Sequence, residues 1–284
     1  MDVQVIADGK TVETKLVKFS DGAMSLKIDV EQLKKSQRYI CVSLGTHLGV
    51  SDTVQIIQMA SSILERAFLF EPKIILNIPY YPHGRADRVF EEGMSCPLVD
   101  FTSNLSWVWH EVMTKDLHNE KPVESILGTR LTHEDQQQCF ERTLQMNHKL
   151  KSIVESGVAL CAPDKGAAKK ADKIALEHTL NLVQMEKTRD VSTGNINGIR
   201  VVSGDPKGHV LIVDDICDGG MTFIKAAEEL KKLGASKVSL YVTHGIFSKG
   251  LDVFKGVVDN IFCHQVVMTY VTQEDIQKFN GETK

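Results

Sequence analysis

The sequence contains no apolar run approaching the roughly 20 residues of a membrane-spanning helix, so no membrane role is expected. Its first residues, Met1-Asp2-Val3-Gln4, carry neither a basic stretch nor an apolar core, and a secretory leader is not expected. None of the six cysteines forms a C-x-x-C pair, which argues against a zinc site. Cys41, Cys161 and Cys263 lie in apolar, strand-like contexts, read as reduced core thiols, and point to a cytoplasmic compartment. An excess of positive charge is also missing, since 33 Lys and Arg face 37 Asp and Glu, for a net charge of −4. That excludes bulk attraction to nucleic acid or to an anionic membrane, so neither is expected as a partner. Any site for polyanionic phosphates must be built locally. Low-complexity segments and short-period repeats are absent. What is present is the composition of a globular protein, 284 residues with 42% hydrophobic and 25% charged content, enough for two domains.

Short apolar runs alternate with longer amphipathic segments. The runs at Tyr39–Ser43, Lys73–Ile78, Glu124–Leu127, Gly157–Ala162, Leu180–Met185, His209–Val213, Lys237–Thr243 and Val257–Cys263 predict strands. Helices are predicted over Ser51–Phe70, Cys96–Trp107, Asp135–Val154, Gly166–Leu176 and Thr222–Leu233. Over Ser51–Phe70, residues Val54, Ile57, Ala60, Ile63, Leu64 and Ala67 make one apolar stripe. The alternation predicts α/β architecture with mainly parallel sheets. Asp8-Gly9 and Asp21-Gly22 are turn signals between short β-like runs, so the N-terminus reads as hairpin. The polar helix around Asp135–His148 marks a domain boundary, giving expected domains of residues 1–132 and 133–284.

Residues 210–222 are the most informative stretch. The apolar run Val210–Val213 stops at Asp214 and Asp215, then Asp218 precedes Gly219-Gly220, and Thr222 opens a helix. A buried strand, a loop of phosphate size and a helix N-terminus follow in order. Unpaired N–H groups there suit an anion, and carboxylates at a strand's C-terminal end suit ribose hydroxyls or a metal. As bare sequence the stretch also fits a strand-turn-helix corner with solvated aspartates. Four further stretches carry charge, all but the second after a predicted strand: Pro79-Tyr80-Tyr81-Pro82-His83-Gly84-Arg85-Ala86-Asp87-Arg88, Asp116-Leu117-His118, Pro163-Asp164-Lys165-Gly166, and Lys187-Thr188-Arg189 with the polar run 190–198. Taken alone, the first and the last read rather as solvated charged loops, and a lone histidine such as His118 is more often structural than a ligand.

Together, in this order, the stretches resemble the ribose-phosphate pyrophosphokinase (PRPP synthetase) family, which shares its ribose-binding signature with type I phosphoribosyltransferases. The resemblance runs collinearly from about residue 19 to about residue 250, ending at Thr243-His244-Gly245-Ile246-Phe247-Ser248. It implies two similar phosphoribosyltransferase-like α/β domains, each a mainly parallel sheet flanked by helices, with an N-terminal β-hairpin in place of the family's opening strand-helix unit. It implies ATP bound by Arg85, Asp87, Arg88 and His118, with adenine against Phe19 and Asp21 of a neighbouring subunit in a dimer or hexamer. It implies Mg²⁺ associated with His118 and Asp164, and catalytic cations Lys187 and Arg189. The acceptor ribose falls to Asp214 and Asp215, and its 5-phosphate to Asp218, Gly219, Gly220, Met221 and Thr222. The implied reaction moves the diphosphoryl group of ATP to the anomeric hydroxyl of ribose 5-phosphate.

Departures from the family pattern are local. Ala86 stands for Gln, Ala23 for Glu, and Lys165 and Ala167 depart from the Pro-Asp-Ala-Gly-Gly segment. Gly219 and Met221 replace a Thr and a small residue in the 5-phosphate loop. With fewer donors, that loop also suits a phosphate already esterified, so ADP-ribose stays open as the acceptor. A phosphoribosyltransferase would keep the Asp-Asp loop without needing Arg85, Arg88 or His118. A non-catalytic regulatory homologue would be expected to lose the cations and metal residues, which are present.

Overall fold

Alternation of buried and exposed positions organises the first strands. In β1 (Val3–Ala7) Val3, Val5 and Ala7 point inward. The turn Asp8-Gly9 takes positive φ at both residues and returns the chain as β2 (Lys10–Val12). A second hairpin, β3 (Thr14–Lys18) and β4 (Met24–Ile28), forms its own two-stranded sheet. The computed structural model describes residues 1–68, 72–189 and 196–282. These divide into two compact units, Met1–Glu134 and Asp135–Lys284. Among the described residues no helix is long and apolar enough to cross a membrane.

The first unit continues through α1 (Val30–Leu33), β5 (Tyr39–Leu44), α2 (Val50–Ala67), β6 (Lys73–Ile78), α3 (Pro97–Ser103), β7 (Glu111–Lys115), α4 (Glu120–Leu127) and β8 (Leu131–Glu134). Its sheet runs β2-β1-β5-β6-β7-β8, parallel from β5 onward. The helix expected over Ser51–Phe70 ends at Ala67, and residues 69–71 lie outside the described residues. Its buried stripe is Thr53, Ile56, Ile57, Ala60, Ser61 and Leu64, rotated from the expected one. Ser61 can join it because its hydroxyl finds partners: Oγ donates to Ile57 O and accepts from the buried Trp109 Nε1 at 2.9 Å. The strand expected at Glu124–Leu127 is instead the end of α4. Val123 and Leu127, four apart, bury one helical face, and Pro122 falls in the first turn, where no N–H is needed.

Asp8 ties this unit's start to β5. Its carboxylate accepts the N–H groups of Gln37, Arg38 and Tyr39 at 2.8, 3.1 and 2.9 Å. The Tyr39 bond foremost, then that of Gln37, lowers its pKa from 3.8 to about 2. A depressed carboxyl contributes stability above its unfolded pKa and loses it as pH falls through the folded value. The Asp8→Asn variant should therefore have a lower urea midpoint than wild type at pH 5, with the gap closing as pH falls toward about 2. A gap that stays constant down to that pH would show that the charge of Asp8 contributes nothing.

The second unit runs α5 (Gln136–Met146), α6 (His148–Glu155), β9 (Ala159–Ala162), α7 (Ala168–Glu177), β10 (Leu182–Arg189), β11 (Ile196–Ser203), β12 (Gly208–Cys217), α8 (Met221–Lys232), β13 (Ala235–Gly245), β14 (Asn260–Val266) and α9 (Gln273–Phe279). Strand order is β11-β10-β9-β12-β13-β14, parallel except for β11. The single helix expected over Asp135–Val154 breaks at Asn147, which ends α5 and caps α6 by accepting Leu150 N–H at 2.9 Å. Strand β12 is buried on both faces, as a parallel strand between helix layers requires. Val210 and Ile212 pack with Phe223, Ala226, Ala227 and Leu230 of α8, while Leu211 and Val213 pack with Phe140, Leu150 and Ile174.

Candidate active site

In the second unit the chain leaves the central strand β9, goes to β10 on one side and then to β12 on the other. Such a switch point opens a crevice at the C-terminal ends of the strands, where α/β sheets bind ligands. The polar residues there come from those three strands. Asp164 follows β9. Its Oδ1 accepts the N–H groups of Gly166 and Ala167 at 2.8 and 3.2 Å. Its Oδ2 accepts Lys187 Nζ at 2.7 Å from β10. Burial pushes the Asp164 carboxyl up, but the hydrogen bond and charge of Lys187, with the two backbone donors, bring it below the usual range. Arg189 closes β10. The expected loop over 190–198 is partly strand, since Gly198 pairs with Thr188 and Ile199 with Lys187. Residues 190–195 lie outside the described residues.

Asp214 and Asp215 sit inside β12 and not at its end, because the strand extends through Ile216 and Cys217, paired with His244 and Gly245. Asp215 is 6% exposed and lies 3.7 Å from Lys170 Nζ. Asp214 Oδ1 accepts the Asp215 N–H at 2.9 Å. Burial first, then the neighbouring charge of Asp215, raises the Asp214 carboxyl above the usual range. The pair is therefore asymmetric: the Asp214 carboxyl is raised above the usual range, while Asp215 faces a lysine.

The loop after β12 is tied to the chain after β13. Cys217 O accepts Ile246 and Phe247 N–H at 2.8 and 3.1 Å, and Ser248 Oγ donates to Asp218 Oδ1 at 2.6 Å. Gly220 has φ 80, and a Cβ there would lie 2.4 Å from the Phe254 ring, so only glycine fits. Helix α8 begins at Met221, one residue before Thr222, and its N-cap is Gly220, which has no side chain to cap it. A helix N-terminus that opens on glycine suits an anion. Gly219 is different: a Cβ would meet only Lys249 Cγ at 3.6 Å and Ser248 Oγ at 3.9 Å. Met221 is 60% exposed.

In the first unit the loop after β6 carries Arg85 and Arg88, both exposed, and Asp87, whose side chain is 7% exposed. Asp87 accepts Asn119 Nδ2 at 2.8 Å and pairs with Arg88 Nε at 3.4 Å. Asn119 neighbours the exposed His118, so this bond joins the loops after β6 and β7 and brings the two stretches together. Asp116 and His83 hold positive φ in the same loops. Phe19, 53% exposed, and Asp21 lie on a separate element, the tip of β3–β4. That tip rests on α2 through Lys18–Asp52 and through Gln55 Nε2 donating to Gly22 O. The Asp21 carboxylate accepts Ala23 N–H within the turn.

A hard divalent cation prefers one or two carboxylates plus substrate phosphates. Asp164 fits this, since its Oδ2 already holds a positive charge, the Lys187 ammonium. The His118 imidazole is a poorer donor for such a cation. Glu120, Glu124 and His133 also bring ligand atoms within 4.8 Å of one another, but Glu120 and His133 pair at 3.0 Å and both glutamates are exposed. Sequence reasoning assigned no role to Ser248, Lys170 or Asn119, whose partners are distant along the chain.

Residues 142–270 match the phosphoribosyl transferase domain family. The chain is 31% identical over 261 residues to a ribose-phosphate pyrophosphokinase of Pyrococcus furiosus, covering 91% of this chain and 88% of that one. It is 28% identical to the Pyrococcus abyssi enzyme of the same name, covering 88% and 82%. Among solved structures, phosphoribosylpyrophosphate synthetase from Mycobacterium smegmatis superposes with a TM-score of 0.73 over 90% of this chain and 81% of that one, at 20% identity. That superposition bears out the expected pair of phosphoribosyltransferase-like domains.

Proposed function

The chain belongs to the ribose-phosphate pyrophosphokinase family, and from that premise we propose that it transfers the β,γ-diphosphoryl group of ATP to the anomeric hydroxyl of ribose 5-phosphate, releasing AMP. The convergence of Asp164, Lys187 and the Asp214–Asp215 pair on the C-terminal halves of three adjacent strands and the turn after one of them supports this reading. Asp215, as a carboxylate, accepts a ribose hydroxyl, and Asp214, its carboxyl raised above the usual range, donates to or accepts from the second. The 5-phosphate lies against the N–H groups of Asp218–Thr222. Held so, the anomeric oxygen attacks the β-phosphorus and gains chiefly from proximity. Lys187 and Arg189 neutralise charge on the moving oxygens, the dominant demand in phosphoryl transfer. Arg85, Arg88 and His118 hold the nucleotide. A magnesium ion on Asp164 and the phosphates would supply further charge neutralisation when bound.

Position 219 supports a second acceptor. It is a glycine with room for a side chain, beside an exposed Met221, so the phosphate loop keeps an open, apolar rim. An esterified phosphate, as in ADP-ribose, meets less obstruction there and needs fewer donors. The test is kcat/KM for both acceptors with ATP and Mg²⁺. Ribose 5-phosphate ahead by about a hundredfold, about 2.7 kcal/mol, supports the first reading, and ADP-ribose ahead supports the second. A Cβ at position 219 meets no clash, and Gly219→Thr, which adds a hydroxyl to the loop, should shift the ratio toward ribose 5-phosphate. An unchanged ratio would remove residue 219 from acceptor selection.

A further inference from the structure

The residue read as the metal ligand and the residue read as the catalytic cation are bonded to each other, Lys187 Nζ to Asp164 Oδ2 at 2.7 Å. We propose that Asp164 holds Lys187 in reserve, and that a divalent cation taking this carboxylate releases the ammonium, so that metal loading and arming of the catalytic cation are one exchange. The inference rests on the reading of Asp164 as the metal-associated residue.

Three observations carry it. Two of the bonds to Asp164 come from backbone N–H groups of Gly166 and Ala167, fixed by the turn that leads into α7. The ammonium alone among these three donors can leave without unmaking that turn. Both side chains are within reach of solvent ions, at 26% and 31% exposure. Finally, β10 pairs with the core strand β9 only over Leu182–Gln184. Lys187 lies beyond that, in a ribbon with β11 whose register is irregular at Gln184/Met185 and Thr188/Arg189. A shift of Lys187 therefore need not disturb the buried strand. A metal and an ammonium competing for one oxygen are linked reciprocally: each weakens the hold of the other.

The experiment uses the full chain without nucleotide and Mn²⁺ as the probe, its free concentration read by electron paramagnetic resonance. The difference between wild type and Asp164→Asn isolates binding that depends on Asp164. Lys187→Met should tighten that component by about fivefold, the scale of a half-exposed ion pair. A second arm needs no variant fold. In wild type, acylation of Lys187 by an amine-reactive ester, read by peptide mass spectrometry, should rise when Mn²⁺ is added. In Asp164→Asn it should be high with or without Mn²⁺. Unchanged Mn²⁺ affinity in Lys187→Met, with Lys187 labelling indifferent to Mn²⁺, overturns the exchange and leaves the pair a fixed brace. Wild type and Asp164→Asn binding Mn²⁺ alike overturns the metal reading itself, and the exchange with it.

Discussion

Replacing Lys187 with alanine is expected to lower turnover by a factor on the order of 10²–10³, about 3–4 kcal/mol, while nucleotide affinity changes little. The residue sits at the strand-end crevice, not on the loops that carry Arg85, Arg88 and His118. In the proposed reaction its contribution is to charge that develops on the moving group, and interactions made only in the transition state appear in kcat. Arg189→Ala should behave alike, as the second cation of the same strand. Steady-state kinetics with a separate nucleotide-binding isotherm separates the two effects. Rates within a few-fold of wild type would remove these cations from the mechanism.

Asp215→Asn is expected to lower kcat/KM for the acceptor by about a hundredfold, near the upper range for losing a hydrogen bond to a charged group, with KM for ATP unchanged. Asp214→Asn should cost clearly less. Burial and the charge of Asp215 raise its carboxyl above the usual range, and an amide reproduces the donor of a protonated acid. Asp215 is buried beside Lys170, and an amide there replaces a carboxylate with a weaker acceptor. Acceptor kinetics on both variants checks the order. An Asp214→Asn loss equal to or larger than that of Asp215→Asn contradicts the asymmetry.

Much of the fold was legible because buried parallel strands are continuous apolar runs. Lys73–Ile78 is the strand the sequence predicts, and Tyr39–Ser43 differs by one residue. Strands β7 and β8 escaped notice because they are short and begin or end on charged residues, with only alternate positions buried in β7 and none in β8. The run in Glu124–Leu127 misled because Ile126 and Leu127 suit either period, and the i, i+4 pairing with Val123 decided for helix. At Asp214 the apolar run ends but the strand does not, since β13 continues to offer backbone partners. In the site, residue types and their order along the chain were readable. The bonds among them were not: Lys187 to Asp164, Ser248 to Asp218 and Asn119 to Asp87 join residues 23, 30 and 32 positions apart. Only the sheet order and the loop conformations bring these together.

In the proposed reaction the β,γ-diphosphoryl group moves as a unit to the anomeric oxygen. Incubating the chain with ATP, Mg²⁺ and ribose 5-phosphate, with ADP-ribose in parallel, and following products by phosphorus NMR tests it directly. AMP should form one for one with a C1-diphosphorylated acceptor. Release of ADP or orthophosphate in place of AMP, or no nucleotide turnover with either acceptor, would contradict it.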